Sequence, residues 1–500
     1  MASQTLDRAQ PRSRKPGASP LRVTDVVSAL SFALDLTEGQ HPGHSVRSCV
    51  IGMRIAEEIG LPDSQRSDLY YALLMKDTGC STNASRMHQI LGGDEISARR
   101  DIKTTDWTRL GWESLQYALA HVRPGGSFTD RVRALFETGR NRKRNTRELI
   151  QIRCERGASI ARRIGLSDAA ANAIRSLDEL WDGRGQPNGL RGEQIPCLSR
   201  IMNFAQTMDV FFTAHGPATA IKIARARRGT WFDPNVVSGF LSVVKRGTLW
   251  SELAGADWAV LGLEPVHTFF TADETVLDNI CVAFADVIDA KSPFTYRHSL
   301  GVAEAAVAIA RTLSLNESEV KTIRRAALLH DIGKLGVPNS ILDKPAKLTV
   351  EEFEVVKKHP AYSYEILNRI PGFDDLSEIA ASHHEKLDGS GYFRGLEGDA
   401  LSTPARILAV ADVYDALAAR RPYRDALPME KVLSIMERET PRALDADCFE
   451  ALKGSFARDL SQLAAAVSGS FSDALRDVSG GHPEPAQCGT FQISADPAVR

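Results

Sequence analysis

RRAALLHDIG (residues 324–333) and YYALLMKDTG (70–79) share one pattern: an apolar helical face that runs into an aspartate and, two residues on, a glycine. The match extends outward. PGHSVRSCVIGMRIAEEIGL, starting at Pro42, pairs with YRHSLGVAEAAVAIARTLSL, starting at Tyr296, at the same spacing of 254 residues, so His44 faces His298 and Asp77 faces Asp331. Further on, LDELWDGRGQPNGLRG pairs with SHHEKLDGSGYFRGLEG and RIMNFAQTMDV with RILAVADVYDA, both at a spacing of 206, which sets Asp182 opposite Asp388. Two blocks that keep register imply a duplication, and the difference of 48 residues is an insertion in the first copy between Asp77 and Asp182.

Both copies read as helix. Apolar residues recur at three- and four-residue spacing from Val302 to Leu313 and from Ile323 to Leu329. Thr349-Val350-Glu351-Glu352 has the form of a capping box that opens a helix. Asp182-Gly183 and Asp388-Gly389 fall in glycine-rich loops between helical stretches, and alternating strand patterns are scarce. The expected fold is all-α, with two tandem helical bundles. Expected boundaries are a poorly ordered N-terminus at 1–20, a first domain with an insertion at 21–255, a second domain at 272–465, and a poorly ordered Gly-, Ser-, Pro- and Ala-rich tail at 468–500.

At 500 residues, two domains are the default. Lys+Arg 61 against Asp+Glu 63 gives a net charge of -2, which argues against a partner that is a nucleic-acid polymer. The densest basic run, Arg140 to Arg147, reads first as a solvated loop, with an anion-binding patch as the alternative. The seven cysteines are scattered without a CxxC, as expected of idle thiols in a reducing compartment. The first 20 residues lack the apolar stretch of a signal peptide, and no run of 18 apolar residues predicts a membrane span, so a cytoplasmic location is expected.

The second copy concentrates metal-ligand residue types: His298, His330, Asp331, His359, His383, His384 and Asp412. Imidazole with carboxylate suits Fe, Mn, Zn or Ni, and the lack of cysteine argues against a structural zinc site. An aspartate can bridge two ions roughly 3.5–4 Å apart, which would activate a hydroxide and clamp a phosphate.

His330-Asp331-Ile332-Gly333-Lys334 resembles the HDxGK signature of the HD phosphohydrolases. His383-His384-Glu385-Lys386-Leu387-Asp388-Gly389-Ser390-Gly391-Tyr392 resembles the HHExxDGxGY signature of the HD-GYP subfamily. The likeness runs from about Tyr296 to Arg424 and takes in Lys358-His359-Pro360, Ala411-Asp412-Val413-Tyr414-Asp415-Ala416-Leu417 and Arg421-Pro422-Tyr423-Arg424. It implies HD-type bundles and a metal-dependent phosphodiesterase that opens cyclic di-GMP to pGpG or GMP. The alternatives are a hydrolase of cyclic GMP-AMP or another nucleotide phosphoester, and a non-catalytic signalling or docking protein. Homodimers and signalling-protein partners are compatible with it.

The resemblance also implies roles. His298, His330, Asp331 and Asp412 would hold one divalent ion, and Asp331, His359, His383 and His384 a second, with Fe or Mn expected ahead of Ni or Zn. Asp331 and Lys334 would be catalytic, Lys334 by neutralising a phosphate oxygen. Arg421 and Arg424 would grip the other phosphate, and Gly389, Gly391 and Tyr392 would line the substrate loop. The sequence departs from the family at Phe393, which replaces the signature proline, and at Phe294, which replaces a glutamate that supports a third ion in some members.

Carried across the repeat, His330 becomes Lys76, His383 becomes Leu177, His384 becomes Asp178 and Asp412 becomes Gln206. His359 falls near Glu155, Lys334 becomes Cys80, Arg421 becomes His215 and Arg424 becomes Ala218. Only His44 and Asp77 survive, so the first copy is expected to be degenerate, serving as a structural partner or a regulatory module.

Overall fold

A computed structural model describes residues 21–107, 111–265, 271–295, 297–419 and 425–456. Arg421, Arg424, Tyr296 and both expected terminal segments lie outside the described residues. Among the described residues there are only helices, turns and two isolated bridges, Arg22 with Thr271 and Arg228 with Phe232. The protein is all-α and is built from two tandem HD-type bundles.

The first repeat contributes α1 (Val23–Thr37), α2 (His44–Glu58) and α3 (Asp63–Met75). The insertion then supplies α4 (Ala84–Leu91), α5 (Glu95–Ile102), α6 (Trp112–His121) and α7 (Phe128–Arg140). The bundle closes with α8 (Arg142–Arg163), α9 (Asp168–Arg175), α10 (Cys197–Ala226) and α11 (Pro234–Arg246). The second repeat comprises α12 (Glu274–Asp289), α13 (His298–Thr312), α14 (Glu317–Leu329), α15 (His359–Leu367), α16 (Asp374–Ala381), α17 (Thr403–Ala418) and α18 (Met429–Glu439).

The duplication reappears in the helix limits. Both limits of α13 and α14 are those of α2 and α3 moved by 254 residues, and those of α16 are α9 moved by 206. The starts are chemically specified. Asn316 and Glu319 form a capping box on α14, as Thr349 and Glu352 do on the short helix Val350–Val356. Ser402 caps α17 by accepting from the Ala405 amide, with Pro404 in the first turn. The basic run at 140–147 is not the loop expected from its charge: it ends α7 and opens α8, because four arginines and a lysine are also good helix formers.

One apolar core runs through both repeats. α1 lies against the turn after Asp331 and against α15, so the first repeat braces the loop that carries the second repeat's signature. At this junction the fully buried Glu95 of α5 accepts from the Asn339 amide at 3.0 Å and from Lys291 Nζ at 3.3 Å. Burial pushes the Lys291 ammonium pKa down, and Glu95 opposes that fall. The described cysteines are free thiols, all but Cys197 buried.

Candidate metal centre

Four helix ends and the middle of a fifth helix converge to form the site. His298 opens α13, His330 follows α14, His359 opens α15, His383 and His384 follow α16, and Asp412 sits within α17. Three of these histidines are aimed by one local device. The ring Nδ1 donates to the carbonyl three residues earlier: His330 to Ala327 at 2.6 Å, His359 to Val356 at 2.7 Å and His383 to Ala380 at 2.5 Å. That fixes the proton on Nδ1 and turns each Nε2 lone pair inward. His298 is held by a carboxylate instead, with Nδ1 at 2.6 Å from Asp415 Oδ2.

Asp331 divides the cluster. Its Oδ1 lies 3.3 Å from His359 Nε2 and 3.6 Å from His383 Nε2. Its Oδ2 lies 3.4 Å from His330 Nε2 and 3.6 Å from His298 Nε2. Asp412 Oδ1 joins the second set, 3.3 Å from His298 Nε2 and 3.8 Å from His330 Nε2. The ligand atoms of His359, His383 and His384 lie within 4.8 Å of one another, and so do those of His298, His330 and Asp412.

The chemistry of this donor set fits cations. His330 Nε2 and Asp331 Oδ1 are fully buried and have no hydrogen-bond partner among the described residues, a deficit of about 1–3 kcal/mol each that a bound cation would remove. Burial lowers the pKa of His330 to about 3 and of His359 to about 4, so both rings are neutral ligands at pH 7. Burial would raise the Asp331 carboxyl, but His330 and Lys334 hold it well below the usual carboxylate range. Burial likewise opposes protonation of His298, yet Asp412 and Asp415 carry its pKa to about 9. Lys334 Nζ, at the mouth, is 2.6 Å from Asp331 Oδ2.

The loop after His384 is shaped by close approach. A Cβ on Gly391 would sit 2.5 Å from the Glu385 Cα and 2.6 Å from the His384 carbonyl, and Gly389 has φ +70. Glu385, buried, accepts from the amides of Arg394, Gly395 and Leu396 and ties the loop back on itself. The Tyr392 ring lies 4.7 Å from His384. Phe393 points elsewhere: its ring is 6.1 Å from Tyr364 and lies under the Arg394 guanidinium. Its φ of +105 is closed to proline, so the loop follows a different path from one built on the signature residue.

Sequence reading missed the residues that position the ligands. Asp415 orients His298. Ser363 accepts from the Gly333 amide and donates to the His330 carbonyl, and Asp289 accepts from the Ser299 amide and hydroxyl. The repeat held the signal for two of them. Asp209 bonds His44 at 2.7 Å as Asp415 bonds His298, and Asp35 bonds Ser45 as Asp289 bonds Ser299.

In the first copy Lys76 is ion-paired to Asp77, and Arg153 to Asp178. Arg153, rather than Glu155, is the counterpart of His359: a Cβ on Gly79 would strike the Arg153 carbonyl as one on Gly333 would strike that of His359. Glu38, Asp77 and Cys80 also cluster, but Lys103 Nζ stands 2.8 Å from Glu38 and 4.0 Å from Asp77, so a lysine already occupies that place.

The HD domain family model matches residues 127–236 and 283–448, more than half of the chain. The chain belongs to the HD domain family. As an HD-domain protein it is similar to the 3'3'-cGAMP-specific phosphodiesterase 3 of Vibrio cholerae, 42% identical over 86% of this chain and 94% of the relative. It is also similar to the cyclic di-GMP phosphodiesterase response regulator RpfG of Xanthomonas campestris, 47% identical over 29% of this chain and 39% of that protein. The crystal structure of a cyclic GMP-AMP-specific phosphodiesterase of V. cholerae matches with a TM-score of 0.62 at 37% identity, covering 88% of this chain and 98% of that one. These relatives are HD-GYP-type hydrolases, as the signatures led us to expect. Among the described residues, no helix is long and apolar enough to cross a membrane.

Proposed function

We propose that this HD-GYP protein is a metal-dependent phosphodiesterase of a cyclic dinucleotide, with 3'3'-cyclic GMP-AMP as its preferred substrate. The observation that carries the hydrolytic reading is Asp331, whose two oxygens face two separate sets of inward-aimed ligands. The substrate preference rests on the relative that matches along 86% of the chain, which is 3'3'-cGAMP-specific. Cyclic di-GMP, the first expectation from the signatures, becomes the alternative, since the relatives acting on it that we compared match along shorter stretches.

Two divalent ions, Fe or Mn, would be held by His298, His330 and Asp412 on one side and His359, His383 and His384 on the other, with Asp331 shared. Bound there, they supply Lewis acidity to a phosphate and lower the pKa of water. The chain's own residues do the rest. Lys334 stands where it can meet negative charge that builds on a phosphate oxygen. Tyr392 forms a wall beside His384 against which a base or ribose can rest. Gly389 and Gly391 let the loop's backbone fold tightly on itself beside the place proposed for the substrate. Arg421 and Arg424 are proposed to hold the second phosphate.

The test is to incubate purified Mn- or Fe-loaded protein with 3'3'-cGAMP and with cyclic di-GMP and to identify the products. Linear dinucleotide or mononucleotides from 3'3'-cGAMP at a kcat/KM at least ten-fold above that for cyclic di-GMP is the expected result. The reverse ratio would restore cyclic di-GMP, and no turnover of either by protein shown to contain two ions would remove the enzymatic reading.

A further inference from the structure

The first copy holds a half-open cavity of about 670 Å³ that overlaps one side of the place corresponding to the metal centre. Arg153, Asp178 and Gln206 line it, standing where the second copy has His359, His384 and Asp412. The insertion supplies the opposite wall, mainly aliphatic, through Met87, Ile90, Leu115 and Leu135, joined by Leu149 and Ile150 of α8. Trp107 and Trp231 close one side. The size is that of a small-molecule site.

Its polar floor is unbalanced. Arg99, Lys103, Arg142 and Arg153 line the cavity against only Glu38 and Asp178. Glu38 is shared by Arg99 and Lys103, and Asp178 is taken by Arg153. Beneath, Asp77 is matched by Lys76. Arg142 donates to the Trp107 carbonyl at 2.9 Å and has no acidic partner among the described residues. A half-enclosed cation without a counter-charge favours an anion in the remaining space. Two buried amide oxygens, Asn203 Oδ1 and Gln206 Oε1, also lack a partner among the described residues. Asn203 Nδ2 donates to the Leu177 carbonyl at 2.8 Å, which leaves its Oδ1 as an acceptor buried beneath the cavity floor.

We propose that this cavity is a second ligand site, distinct from the metal centre, for an amphipathic anion: an acyl chain or similar apolar body ending in an anionic head. The chain lies along the aliphatic wall, and the anion meets Arg142 and the excess positive charge. α5 places the site next to the other repeat, because Arg99 on α5 and Lys103 just after it reach the cavity while Glu95, at its start, holds Lys291 and the Asn339 amide.

The test is calorimetric titration of the full-length protein, with Trp107 and Trp231 as fluorescent reporters, using N-decanoylglycine. This probe has the chain, the amide N–H and the carboxylate. Saturable binding of one molecule per chain is expected. The neutral N-decanoylglycinamide should bind at least ten-fold more weakly, and N-acetylglycine, which lacks the chain, at least a hundred-fold more weakly. Ala118→Trp, which fills the cavity, and Arg142→Met, which removes the unpaired cation without touching the core, should each weaken binding at least ten-fold while metal content stays unchanged. Absent or non-saturable binding, equal binding of the neutral amide, or indifference to Arg142→Met overturns the proposal. Displacement of the probe from Asp331→Ala protein by 3'3'-cGAMP also overturns it, since the cavity would then be a nucleotide site. None of these readouts depends on catalytic turnover.

Discussion

The two repeats use one scaffold to solve opposite electrostatic problems. In the second, Asp331 sits beside His330 and His359, buried imidazoles that stay neutral with their lone pairs turned inward, and its Oδ1 is left without a partner among the described residues. In the first, the matching Asp77 is paired with Lys76 and faces Lys103, which hold its pKa at about 2 despite burial. Arg153 stands in place of His359 and neutralises Asp178, which stands in place of His384. One copy leaves its negative charge open to ions from solution, whereas the other has internalised the cations as side chains. The scaffold interactions around both, Asp415 and Asp209, Asp289 and Asp35, did not change. Packing and ligand positioning can therefore outlast the chemistry they once served.

Single substitutions at matched positions break this comparison most sharply. Asp331→Ala should reduce turnover by about 10³-fold or more, beyond the loss from one oxyanion-hole donor, with little change in fold. Asp77→Ala should leave turnover nearly unchanged but cost about 3–5 kcal/mol of stability, because it strands Lys76 as a buried unpaired charge. Steady-state kinetics and urea denaturation of both variants decide it, and equal kinetic losses would mean that both copies work. Next in size, Asp415→Asn should reduce activity or metal affinity by about 10- to 100-fold, as losses of ligand-orienting partners do. Asp209→Asn should do neither, although both remove a bond to the first histidine of their repeat.

Two smaller effects concern backbone positions whose residue differs between the copies. The position of Phe393 is Pro187 in the first copy. Restoring proline in Phe393→Pro should destabilise the protein and raise KM, because proline fixes φ near −65° while this loop needs +105. Phe393→Gly should fall within about 1 kcal/mol of the parent, since the relieved strain offsets the lost contact with Tyr364. A KM unchanged by proline would show that the loop adapts freely. Smallest of all, Arg297 precedes His298 with φ +61, where the first copy has Gly43 at +84. Arg297→Gly should raise stability by about 1 kcal/mol, the usual penalty of a left-handed non-glycine residue, and an unchanged or lower melting temperature would place a compensating contact at Arg297.

The seven ligand-type residues were legible in the sequence because metal chemistry restricts residue identity, and the structure brings all seven together. Their positioning partners were less so. Asp415 lies inside a quoted motif, but an aspartate on a helix gains a role only when a ring nitrogen is found 2.6 Å away. The counterpart of His359 was misplaced by two residues because spacing alone cannot say where the insertion ends, whereas the shared backbone clash at Gly79 and Gly333 can. The basic run at 140–147 looked solvated because its charge dominates its composition, yet Arg142 turns toward the Trp107 carbonyl. The cavity was invisible, since its walls come from segments that meet only through the packing of the insertion on the first repeat.

Glu95 bears on how such a chain can change over generations. Its carboxylate serves as counter-ion and acceptor for Lys291 and the Asn339 amide, both in the other repeat. Deleting the worn copy would leave that lysine and that amide unserved in a surface that had been interior. Each repeat has thus become part of the other's solvent, and loss of function in one no longer makes it dispensable. Mutation can continue to rewrite the vacated pocket, but the junction acts as a ratchet: once Lys291 is tolerable only beside Glu95, a return to a single self-sufficient bundle requires several coordinated substitutions, while staying duplicated requires none.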